Sequence, residues 1–171
     1  MLKQALKNPA LRKRARQFGR LIRHSAVTPR MGESHKPKLV SNGQMGVTFI
    51  GHAVMFWSYI DKNVVPKVGY PKGKVSPGGL TDRYLSDFPN LYADMSAGSG
   101  LNALIRDEDH ARAFIARHQD RMLFGSDCAD VAGVSPICTG ANLISAIRRL
   151  SPSKAVERKL LYENARALFA L

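Results

Sequence analysis

The apolar and polar positions fall into short blocks of alternating type. VTFIG, residues 47–51, is apolar and β-branched and predicts a strand that ends at a glycine and then presents His52. AVMFWSYI after it is apolar throughout and predicts a short helix or packed turn. Residues 61–80, DKNVVPKVGYPKGKVSPGGL, hold four glycines and three prolines and predict a long ordered loop or lid. TDRYLSDFP predicts a short helix stopped by Pro89, and NLYADMS a strand running into a small-residue loop, AGSG. RDEDHARAFIARHQD follows as a helix with acids in its first turn, as the helix dipole favours. RMLFGSD, residues 121–127, repeats the first pattern: an apolar strand, a glycine, then a carboxylate. TGANLISAIRRL and VERKLLYENARALFAL close the chain as helices, the latter started by Ser151 and Ser153 around Pro152. Strands alternating with helices predict parallel βαβ units and an α/β fold.

Charge divides the chain. Residues 1–40 carry 11 Lys or Arg and one acid, Glu33, whereas the rest hold 15 bases and 12 acids. A near-neutral body therefore follows a basic leader. Within residues 1–30, Leu11, Ala15, Phe18 and Ile22 recur at helical spacing among Arg12, Arg14, Arg16, Arg20 and Arg23, which predicts a basic amphipathic helix. Such a segment suits nucleic acid, an anionic surface or organelle import, or simply flanks the body. Residues 31–45 are aperiodic and predict a linker, so the domain is expected over residues 46–171. No run of about 18 apolar residues occurs, which excludes a transmembrane helix by sequence. The two cysteines, Cys128 and Cys138, form no CxxC pair or disulfide-dense pattern and point to a reducing, cytoplasmic setting.

In parallel α/β folds the carboxyl ends of the strands carry function, because loops converge there on a rigid base. His52, the Asp94–Ser96 stretch and Asp127 are the three polar strand ends. A histidine and an aspartate at one rim can hold a divalent metal or transfer a proton. Each has a plainer reading: His52 as a structural hydrogen bonder, Asp94 as a bond to a neighbouring loop, Asp127 as a turn or cap residue. Cys128 reads as a soft metal ligand or a small buried hydrophobe. Tyr70 and Lys72 are candidate substrate contacts in the long loop, and His110 and His118, eight apart on one helix, are expected to face solvent.

GHA, NLYAD, FGSD and NARALF, in that order, make the chain from about Val47 to Leu171 resemble the C-terminal half of the amidohydrolase-related family, metal-dependent enzymes on a (β/α)8 barrel. The resemblance implies that VTFIG, NLYAD and RMLFG are the sixth, seventh and eighth barrel strands. It implies that His52 binds metal or polarises substrate, and that Asp127 ligates the metal, most naturally zinc, and accepts a proton from the attacking water. The implied substrate is a small carbonyl compound, an amide, ester or lactone, with decarboxylation also within reach.

The family's first-strand HxH pair is missing, and residues 1–45 are too short for five βα units in a barrel of about 250 residues. The expectation is therefore a truncated or split form, strands six to eight with their helices behind a basic leader. Such a piece calls for self-association or for another chain that supplies the missing barrel half. The alternative is a non-catalytic barrel fragment whose basic arm, residues 1–30, binds nucleic acid or an anionic surface.

Overall fold

The computed structural model describes residues 48–65, 68–128, 132, 133, 135 and 138–171. The leader and linker expected over residues 1–45 lie outside them. Three strands form one parallel sheet in the order β1 (Phe49–Gly51), β2 (Leu91–Asp94), β3 (Met122–Leu123). Phe49 lies opposite Leu91, Gly51 opposite Ala93, and Ala93 opposite Met122. Helices occupy every connection: α1 (Ala53–Ser58), α2 (Leu80–Asp87), α3 (Ala97–Ile105), α4 (Glu108–His118) and α5 (Gly140–Leu150). The chain closes with α6 (Lys154–Arg158), a π-helical turn over Lys159–Glu163 and α7 (Asn164–Phe169). The expected α/β alternation is thus present, and no helix among the described residues is long and apolar enough to cross a membrane.

Side chains alternate across a strand, so Gly51, Ala93 and Met122 share one face, and Ile50, Tyr92, Asp94 and Leu123 the other. Ala93 and Met122 are buried in a core with Trp57, Phe114, Leu104, Ile115, Leu143 and Ile147, all from the surrounding helices. Removing each large apolar side chain from water contributes about 1.5–3 kcal/mol. On the other face Ile50 and Tyr92 are only half-buried; Phe49 and Phe124, which fall on the core face by the same alternation, are half-buried as well, Phe124 packing against the core.

The outer side of β3 is filled. The Arg121 and Leu123 carbonyls accept the Ala93 and Met95 amides on the β2 side, so the Met122 carbonyl and the Phe124 amide point the opposite way. There the Asn164 side-chain amide donates to the Met122 carbonyl at 2.9 Å, and the Phe124 amide donates to the Leu160 carbonyl at 3.1 Å. The chain's last helical segment takes the place of a fourth strand on that side.

The AGSG segment, expected as a loop, opens α3 instead, with Ser96 at the N-cap. Its small residues allow a tight helix start against β2 rather than a free turn. His110 and His118 are 9% and 2% exposed, against the expectation that they face solvent. Both lie on the core side of α4 with Phe114, whose ring contacts each of them. Cys128 and Cys138 are joined in a disulfide, not free thiols, so cysteine usage lends no support to a reducing setting and Cys128 is no free thiolate ligand.

The long loop over 61–80 is held at both ends by carboxylates. Asp61 accepts the Asn63 and Ser76 amides and pairs with Arg106 at 3.0 Å. Asp107 caps α4, accepting the His110 amide, and also takes the Val75 amide and the Lys74 ammonium. The Val75 hydrogen bond, followed by those of Lys74 and His110, outweighs burial and lowers the Asp107 pKa to about 2.

Candidate active site at the strand ends

Both strand–glycine–polar repeats have a steric cause. A Cβ on Gly51 would overlap the Phe56 ring of α1, so a side chain there would push that buried ring out of place. A Cβ on Gly125 would stand 3.0 Å from Ser96 Cβ and 3.1 Å from an Asp94 oxygen. The glycines let β1 and β3 end tightly against their neighbours, and the polar residues that follow emerge at one rim.

His52, Asp94 and Ser96 meet there. His52 Nδ1 lies 2.9 Å from Asp94 Oδ2 and 3.3 Å from Ser96 Oγ. Ser96 donates its amide to Asp94 Oδ1 and its hydroxyl to Oδ2, at 2.9 and 2.8 Å. The Trp57 indole donates to the Asp94 carbonyl at 2.7 Å and anchors the end of β2 to α1. The hydrogen bond to Asp94 raises the His52 pKa above its ordinary value; burial opposes, and the charges of Asp94 and Asp127 add to the rise. Burial alone would raise the Asp94 pKa, but hydrogen bonds from His52 and Ser96 bring it below the usual carboxylate value.

Asp127 is exposed and close enough to act on His52 through space. Its backbone is left-handed, φ 52°, as is that of Ala53 at 68° and Ala97 at 62°. These positions directly follow His52 and Ser96 or carry the carboxylate itself. Left-handed geometry costs a non-glycine residue on the order of 1 kcal/mol, so three such residues at one rim mark a place where position outranks backbone comfort.

Of the loop candidates, Tyr70 comes to this rim: a Cβ on Gly98, in the first turn of α3, would stand 3.4 Å from its ring. Tyr70 remains 54% exposed. Lys72 is exposed, and no hydrogen bond or ion pair among the described residues brings it to His52. Lys74 reaches Asp107 and Asp109 instead. The sequence marked the Asp94–Ser96 stretch as a polar strand end but not as the partner of His52. The signal was the parallel register, which puts Gly51 beside Ala93 and so the next residues of the two strands side by side.

No group of three His, Cys, Asp or Glu side chains among the described residues stands close enough to hold a metal ion. Asp94 already accepts three donors, which leaves His52 and Asp127 as the available pair at the rim.

No curated protein and no solved structure matches the chain. A family model described as Amidohydrolase does match, over residues 83–171, just over half of the length. The matched stretch carries Asp94, Ser96, Gly125, Asp127 and Asn164, and begins after His52. With parallel strands whose polar ends converge and this match over the two later strands, the chain belongs to the amidohydrolase family.

Proposed function

We propose that the protein is an amidohydrolase-related hydrolase acting on a small carbonyl compound, an amide, ester or lactone, with His52 and Asp127 as the reacting side chains. The observation that carries this reading is the convergence of His52, Asp94 and Asp127 at the carboxyl ends of adjacent parallel strands in a chain of this family. Asp127 would take a proton from the attacking water, and His52 in its imidazolium form, with Nε2 protonated as well as Nδ1, would polarise the carbonyl or give that proton to the leaving group. Tyr70, beside the first turn of α3, would line the substrate side. Lys72 would need the long loop to move before it could contribute. Decarboxylation remains within the same reading, since it too needs a proton delivered at this rim.

Family membership implies a divalent metal, with zinc the natural candidate and His52 and Asp127 its donors. A zinc site needs three or four protein donors. His52 and Asp127 by themselves do not fit that requirement. The missing donors, like the missing strands of a barrel, would come from outside the described residues or from another chain, a second copy included.

Metal content and turnover test the reading together: purified protein is assayed for bound metal and for hydrolysis of a panel of amides, esters and lactones. Turnover that falls about 100-fold or more in Asp127→Asn and in His52→Asn supports it. Turnover indifferent to both substitutions overturns it.

A second reading rests on the concentration of charge in residues 1–40, 11 bases against one acid. There the body is non-catalytic and the basic arm binds nucleic acid or an anionic surface. Affinity for duplex DNA that falls steeply with salt and disappears on deletion of residues 1–30 would favour it.

A further inference from the structure

We infer that Asp94 and Ser96 are positioning residues that hold His52 with its proton on Nδ1, so that Nε2, bearing the lone pair, is the working atom of the rim. The inference rests on the reading of His52 as a reacting side chain, and it names the device that makes it one.

The donors around Asp94 fix the tautomer. An ionised carboxylate only accepts hydrogen bonds, so each contact to Asp94 fixes a proton on its partner. Oδ1 receives the Ser96 amide, and Oδ2 receives the Ser96 hydroxyl and His52 Nδ1. The backbone amide cannot be anything but a donor, and it fixes the carboxylate's rotation. Ser96 is 4% exposed and cannot swing to water. Gly125 leaves the room that the pair needs. With the carboxylate held in this way, the proton of a neutral His52 lies on Nδ1 and Nε2 is left as an acceptor. Orientation of a reacting imidazole by a carboxylate on its other nitrogen is a general device for fixing tautomer and basicity.

Ring-nitrogen NMR of the full chain labelled with 15N-histidine tests this without any substrate. The His52 signals are assigned by their loss in His52→Gln and read at a pH above its titration. The expected result is the Nδ1–H tautomer in the native protein. Asp94→Ala should shift the tautomer ratio about tenfold or more toward Nε2–H, and Ser96→Ala should shift it the same way by less. Circular dichroism checks that each variant folds; should Asp94→Ala fail to fold, Asp94→Asn and Ser96→Ala carry the comparison. An Nε2–H tautomer in the native protein overturns the inference, as does a ratio unmoved in every folded variant. A native Nδ1–H tautomer with no turnover on any carbonyl substrate supports the positioning and counts against the hydrolase reading alone.

Discussion

Among the described residues two histidines pair with aspartates, and the two pairs behave oppositely. His118 Nε2 lies 2.6 Å from Asp82, with the imidazole 2% and the carboxylate 14% exposed. His52 Nδ1 lies 2.9 Å from Asp94, with side chains 38% and 26% exposed. Burial lowers the His118 pKa even though Asp82 pulls it upward, whereas at His52 the carboxylate prevails over a smaller burial and the pKa rises. Asp82 also accepts Arg117, and His118 packs against the Phe114 ring, so that pair braces α2 against α4. A hydrogen bond of the same kind is closed off from water at one pair and open to water at the other, and that access sets the direction in which each imidazole titrates.

The largest effect that would sharpen this contrast is on stability. Asp82→Ala should cost about 2–4 kcal/mol in urea unfolding, because it leaves a buried imidazole and Arg117 without their carboxylate. Asp94→Ala should cost less, about 1–2 kcal/mol in the same assay, since water replaces its contact to the half-exposed ring and only the Ser96 donors are left without their acceptor. Equal losses would erase the distinction. Gly125→Ala should come next, at about 1–3 kcal/mol, by pressing on Asp94 and Ser96 while sparing the Asp82 pair.

Titration separates the pairs by sign. His52, with its folded pKa raised above 6.5, contributes stability that is fully present below that value and lost as pH rises through the folded pKa. For His118 the folded pKa is depressed, so its contribution is present above 6.5 and lost as pH falls through the folded value; buried His110 adds in the same direction. NMR titration should therefore place the His52 midpoint above 6.5 and those of His110 and His118 below it, and the reverse order would contradict the assignment. The smallest effect is that of Asp127→Asn, which should lower the His52 midpoint by less than Asp94→Asn does, because its influence is through space only, and should leave His118 in place.

Much of this architecture was legible in the alternation of apolar blocks with turn signals. That pattern located the three described strands and most of the described helices, and the glycine that ends β1 and the one within RMLFGSD pointed to the rim. What it could not convey was depth and pairing. His110, Phe114 and His118 recur at four-residue spacing on one helix face, and Phe114 between them was the sign that this face is buried. Small residues at 97–100 resemble a loop, yet they are small because α3 starts hard against β2: a Cβ on Gly100 would meet the Met95 carbonyl at 2.1 Å. The Cys128–Cys138 bond and the meeting of His52 with Asp94 join residues 10 and 42 positions apart, which only tertiary register brings together.

The filled side of β3 also limits how copies of this chain can meet. Its outward Met122 carbonyl and Phe124 amide are already bonded to Asn164 and Leu160, so a strand from another molecule would have to displace those bonds to pair there. Head-to-tail growth of sheet on sheet, which would otherwise propagate without limit, meets that cost at every addition.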